Sequence, residues 1–144
     1  MKIKLDNNAI KPTRAYSTDA GLDLYSPIRQ WIFAGDSAVF DTGVHIELPF
    51  IDIDGKRFPT TGFIKSKSGL NVHHDLVTEG VIDLGYTGAI KVKLYNLGKT
   101  NYLVNKGDKI AQLVIIPVLT PDIKIVNSLP KTVRGDKGFG SSGR

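Results

Sequence analysis

Two acidic segments and one glycine-rich arm hold the residue types best suited to chemistry. Gly80-Val81-Ile82-Asp83-Leu84-Gly85-Tyr86 sets a carboxylate in an apolar, glycine-flanked bend with an aromatic three residues on. An aspartate beside apolar groups is poised as a general base toward water, although the same acid equally suits a structural turn. Asp19-Ala20-Gly21-Leu22-Asp23-Leu24-Tyr25-Ser26 places two acids four apart around a glycine. One of them can hold the waters of Mg2+, an ion that binds through few carboxylates plus substrate phosphates, and both fit turn or cap positions as well. The segment from Arg134 to Arg144 combines two arginines and four glycines with one aromatic, Phe139. Glycine backbone approaches an anion closely, arginine grips phosphate through a bidentate fork, and an aromatic face stacks on a base. That arm reads as a nucleotide lid, with a flexible Gly/Ser terminus as the bland alternative.

Weaker signals support an anionic ligand. Ile64-Lys65-Ser66-Lys67-Ser68-Gly69-Leu70 puts cations and hydroxyls at a strand end, where Lys and backbone N–H groups can meet phosphate. Gln112 interrupts an apolar strand, and its amide must find partners if buried. Other motifs fail on context. Gly138, Gly140 and Gly143 spell a dinucleotide fingerprint, but only Arg144 follows where a helix should open. Gly98-Lys99-Thr100 has Lys93 where a phosphate-binding loop needs its first glycine, so it reads as a turn. His73 and His74 are adjacent and diverge, and His45 completes no zinc spacing with them.

The elements that must position these groups are short strands. Runs rich in β-branched and aromatic residues recur at Lys2 to Leu5, Gln30 to Ala34, Ala38 to Leu48, Gly62 to Lys65, Ala89 to Tyr95 and Ile110 to Val118, broken by Gly, Pro, Asn and Asp. That rhythm predicts an all-β sandwich or barrel. Ile90, Val92 and Leu94 alternate with Lys91, Lys93 and Tyr95, so one face is core. Ile110 to Val118 reads as a strand buried on both faces after a turn at Lys106-Gly107-Asp108. One helical turn is expected over Ser68 to Val72, capped by Ser66 or Ser68. Residues 1–127 read as the body and 128–144 as an arm that invites contact with a neighbouring subunit.

Composition narrows the function classes. The 144 residues suffice for one self-supporting domain. Lys and Arg outnumber Asp and Glu by 19 to 14, a net +5 that favours anionic partners, but the cations are scattered as for small phosphates rather than massed as for stable nucleic-acid binding. No cysteine is present, which excludes disulfides and suits a reducing cytoplasm. No apolar run is long enough for a membrane helix.

Taken in order, the segments 19–26, 66–71, 80–96, 107–114 and 134–143 resemble the five motifs of the trimeric dUTPase family, with AGLDLYS, GDKIAQLV and RGDKGFGSSG nearly intact. The resemblance implies a jelly-roll β subunit with a flexible C-terminal arm, a homotrimer with active sites shared between subunits, and Mg2+-assisted hydrolysis of dUTP to dUMP and pyrophosphate. It implies Asp83 as the base that activates water, and Asp23 as the carboxylate that holds Mg2+ through water. Tyr86 would pack on the deoxyribose, and backbone around Val81 and Ile82, in a hairpin from Val77, would read uracil. Lys67, Ser68, Gly69 and Gln112 would contact phosphates, Arg134 the γ-phosphate, and Gly138, Phe139, Gly140 and Ser141 would close over the nucleotide. Lys67 stands where the family usually has Arg, keeping the charge and losing the planar fork. The rivals are a deaminase of dCTP on the same fold, a nucleotide-dependent protein-binding trimer and a nucleic-acid-binding barrel. The aromatic-bearing fifth motif disfavours the first.

Overall fold

A computed structural model describes residues 1–138. The strands are β1 (Lys2–Leu5), β2 (Gly21–Tyr25), β3 (Gln30–Ile32), β4 (Ser37–Asp41), β5 (Val44–Glu47), β6 (Phe50–Ile53) and β7 (Lys56–Ser66), then, after the short helix α1 (Ser68–His74), β8 (Leu76–Val77), β9 (Glu79–Ile82), β10 (Lys91–Asn96), β11 (Tyr102–Val104) and β12 (Lys109–Pro117). The fold is an all-β jelly roll of antiparallel sheets. The largest runs β2-β12-β7, with β6 and β9 sharing the far edge of β7. The others are β4-β10-β8, β1-β5 and β3-β11.

Alternation in β10 survives intact: Val92, Leu94 and Asn96 are buried, while Lys91, Lys93 and Tyr95 face outward. Val92 and Leu94 join one core with Phe40 of β4 and with Leu22, Leu24, Ile64 and Leu113 of the large sheet. Burying each such side chain contributes about 1.5–3 kcal/mol. Asn96 is tolerated there because its amide nitrogen donates to the Ile32 and Thr100 carbonyls (3.0 and 2.8 Å) and its oxygen accepts from Gly98 N–H (3.0 Å). These bonds also build the bend at Gly98–Thr100 that the sequence leads one to expect.

Three expectations need correction, and one hairpin goes beyond them. The run Ala38 to Leu48 is two strands, because Gly43 takes φ +63° and lies so close to Asp6 and Ala9 that a Cβ would sit 3.2 and 3.0 Å from theirs. Thr42 secures the break by donating its Oγ1 to the Ile90 carbonyl (2.7 Å). Strand β12 is buried at Ile110, Ala111 and Leu113, but Ile116 and Pro117 are exposed on the chain. Helix α1 is capped by Lys67 without a side-chain bond. Ser66 Oγ instead donates to the Thr78 carbonyl (3.0 Å) and accepts from its N–H (2.9 Å), tying β7 to the β8–β9 corner. Finally, β6 and β7 form a hairpin around Asp54-Gly55, both at positive φ (+49° and +74°), the two-residue turn that an Asp-Gly pair favours. From Val118 to Gly138 the chain carries no strand or helix.

Candidate active site

Register brings the first, second and fourth sequence segments together. Gln112 of β12 pairs with Asp23 of β2 on one side and with Lys65 of β7 on the other. Asp19, Gly21, Asp23, Lys67, Lys109 and Gln112 thereby line one cavity of about 430 Å3. Asp23 sits mid-strand with its side chain 7% exposed, held by Lys67 at 2.5 Å and Lys109 at 2.8 Å. It is no turn residue. Burial opposes its ionisation, but the ammonium groups of Lys109 and Lys67 outweigh that and hold the carboxyl below its usual range. Asp23 in turn raises the pKa of Lys109. Asp19 does serve its turn, accepting from Tyr16 N–H at 3.0 Å.

Gln112 is half-buried and donates to the Ser66 carbonyl (3.2 Å). A Cβ at Gly21 would come within 2.5 Å of its Oε1, so the glycine is what lets that amide lie across β2. Ser68 and Gly69 stand exposed beside Lys67 at the start of α1, and a Cβ at Gly69 would meet nothing within 4 Å. Space is open there for a ligand. Lys109 joins this site without being among the expected contact residues; its register opposite Tyr25, next to Asp23, brings it there, and its place within GDKIAQLV was the one signal in the sequence.

A second cavity, about 240 Å3, is lined by Val81, Ile82, Asp83, Tyr86 and Lys91. Asp83 is exposed rather than enclosed by apolar groups on the single chain. The loop after it turns at Gly85 (φ +91°), with Tyr86 N–H donating to the Asp83 carbonyl (3.1 Å) and Tyr86 Oη to the Ala89 carbonyl (3.1 Å). Gly88 makes room for that ring, since a Cβ there would sit 2.5 Å from Tyr86 Oη. The expected hairpin from Val77 to Ile82 does not form. Val77 pairs with Tyr95 of β10 and Ile82 with Gly62 of β7, so the segment crosses between sheets.

One chain does not unite the cavities. Ile82 pairs with Gly62 in the middle of β7, whereas Lys67 lies just past the strand's C-terminal end. The five intervening residue steps separate them by roughly 16 Å along the strand. Arg134 and Gly138 line neither cavity; Arg134 Nε donates to the Lys137 carbonyl at 3.2 Å in a local turn. Phe139, Gly140 and Ser141 lie outside the described residues.

Among the described residues no three acid or histidine side chains converge as a metal cage. A single carboxylate amid cations suits a hard divalent ion that arrives with phosphate oxygens and meets protein through its water shell. Asp23 and its surroundings fit Mg2+ in that manner.

An all-β jelly roll with a lysine-lined cavity on its sheet and a carboxylate–tyrosine loop beside the middle of β7 belongs to the class of nucleotide-handling β proteins. A family model described as dUTPase matches residues 7–143, and the chain belongs to that family. It is 41% identical over 143 residues to the deoxyuridine 5'-triphosphate nucleotidohydrolase of Clostridium acetobutylicum, covering 97% of this chain and 93% of that one. Staphylococcus bacteriophage 80alpha dUTPase with dUPNHPP superposes with a TM-score of 0.86 at 31% identity, over 99% of this chain and 98% of that one. A mutant dUTPase of phage phi11 of S. aureus, described with a structural Mg(II) ion, gives 0.77 at 29% identity, over 90% and 98%.

Proposed function

We propose that the protein hydrolyses dUTP to dUMP and pyrophosphate in sites assembled from neighbouring copies of the chain, as a homotrimer. The observation that carries this reading is the division of the site residues between two separate cavities, one at the Lys67 end of β7 and one beside the middle of that strand. A base acting on the α-phosphorus must lie within one water of it, and the β7 backbone beside Ile82 and that at Lys67 lie roughly 16 Å apart along the strand, a poor fit to one compact triphosphate. Two copies can offer one nucleotide both halves. The segment after β12 supports assembly, for Ile123 and Ile125 are each 93% exposed on the single chain. Apolar side chains so placed suit burial against another copy.

In such a site Asp83 takes a proton from water as its oxygen bonds to the α-phosphorus, and the bond from that phosphorus to the oxygen bridging to the β-phosphate breaks. Pyrophosphate leaves with the bridging oxygen, and dUMP keeps the new one. Tyr86, folded over Gly88, presents a ring against the sugar. Lys67, Lys109 and Gln112 receive phosphate oxygens, so both lysines exchange Asp23 for the ligand, and Arg134 reaches the γ-phosphate from the arm. Mg2+, held through its waters by Asp23, would neutralise phosphate charge when bound.

Pyrophosphate release from dUTP, dCTP, dTTP and UTP, with Mg2+ and with EDTA, tests the proposal. Release from dUTP alone, lost in EDTA, is expected. Equal release from UTP would remove Tyr86 from sugar selection, and ammonia release from dCTP would replace the proposal with deamination.

A further inference from the structure

His45 belongs to neither cavity, yet it is tied to the loop that carries Asp83 and Tyr86. From β5 its Nδ1 lies 2.8 Å from the Thr87 carbonyl oxygen, and its Nε2 lies 3.2 Å from Asp6 Oδ2. Both partners are acceptors only. A neutral imidazole has a single N–H and can satisfy one of them; satisfying both requires the imidazolium. The other charged groups nearby are Lys4 on β1, which opposes the ring's charge and pairs loosely with Asp6 (3.9 Å), and the exposed Lys2–Glu47 pair alongside.

The rest of the loop shows why this tie matters. Thr61 Oγ1 anchors its start through the Ile82 carbonyl (2.8 Å), and Ile90 anchors its end by donating to the Val44 carbonyl (2.9 Å). Between them, Tyr86 bonds only within the loop, to Asp83 and Ala89. Among the described residues, the His45 bond to Thr87 is the side-chain link from the body to the loop's middle, one residue from Tyr86.

The geometry points to His45 as a positioning residue whose protonated ring, braced by Asp6, holds the Thr87 carbonyl and so sets Tyr86 for the nucleoside. This rests on the dUTP hydrolysis proposed above. The Thr87 bond, the Asp6 bond and the Asp6 charge raise the ring's pKa, so both bonds are made below the ordinary histidine value of 6.5; as pH rises through the higher value in the fold, the one remaining N–H goes to the charged Asp6 acceptor and the Thr87 tie is lost. Nucleoside recognition then weakens toward alkaline pH while the phosphate cavity is untouched.

Two measurements test this, and the first does not depend on turnover. Nitrogen-15 NMR of the histidine rings in the intact protein should show His45 protonated on both nitrogens to a higher pH than the same residue in the urea-unfolded chain; an equal or lower midpoint would overturn the proposal. The second is the pH profile of KM and kcat for dUTP. In the wild type KM should rise about threefold to tenfold across the ring's titration, the size of one net hydrogen bond, with kcat changed less. His45→Ala should have the raised KM at every pH, whereas His45→Asn, which can donate to Thr87 without titrating, should keep a low KM with no pH step. Profiles of both variants that superimpose on the wild type would overturn the proposal even if dUTP is the substrate, and absence of dUTP turnover in all three proteins, with a normal NMR result, would locate the failure in the substrate assignment.

Discussion

Asp23, Lys67 and Lys109 meet on hydrogen-bonded strands of the large sheet and their immediate flank, whereas Asp83 and Tyr86 ride on a loop shaped by Gly85, Gly88 and one histidine bond. The first cavity carries its own counterion, so its charges stay paired while no phosphate is bound. The second presents an exposed carboxylate and a ring seated in the space that a missing Cβ leaves. Sheet register thus prearranges the lysine-lined cavity, whereas the placement of Asp83 and Tyr86 depends on a segment that can shift without disturbing the core.

The largest effect expected from breaking this pair is at Asp83. Asp83→Asn should lower kcat about a thousandfold, the scale of a general base, while a non-hydrolysable dUTP analogue still binds; unchanged turnover would leave the second cavity without a catalytic role. Lys67→Ala should be crippled through the other cavity. Mixing it with Asp83→Asn after unfolding and refolding together sharpens the comparison: if each site takes its halves from different copies, about a quarter of the sites regain both intact halves by random assortment in a symmetric oligomer. No recovery would mean that one chain supplies both.

Gly88→Ala should act only on the nucleoside side, raising KM for dUTP on the order of tenfold as Tyr86 is displaced, with inorganic tripolyphosphate binding unchanged. The smallest effect is one of stability. Asp23→Asn leaves two facing ammonium groups uncompensated and should cost about 1–2 kcal/mol at neutral pH, discounted for the exposure of Lys109. Because the folded Asp23 carboxyl titrates below its ordinary 3.8, its ion pairs stabilise the fold above that value and fade as pH falls through the lower one. Denaturant unfolding at pH 7 and pH 3 should therefore show wild type and variant converging in acid.

Legibility in the sequence followed the same division. Strand β10 and the residues that line the first cavity declared themselves by alternation and by ordered motifs, since a period of two and a Gly-flanked turn are local properties. The β6–β7 hairpin was equally local, its Asp54-Gly55 pair being the signal, but Pro59 and the charged Lys56-Arg57 obscured the strand beyond it. Lys109 was hidden because its partner Asp23 is distant in sequence and adjacent only through register. His45 was read against zinc spacing, while its actual partners, a backbone carbonyl and Asp6, leave no motif. The split of the site between cavities was legible only through the resemblance, which implies sites shared between subunits, because the order of motifs along a chain says nothing by itself of where on a sheet they fall.

The Asp54-Gly55 hairpin has a practical use. Among the described residues its β6 strand pairs with β7 alone, neither tip residue lines the two site cavities, and a Cβ on Gly55 would touch nothing within 4 Å. A short tag or a fluorophore attached there would ride outside the chemistry, as exposed loop tips tolerate insertion best. Labels on two populations of chains would then report by energy transfer whether copies exchange in solution.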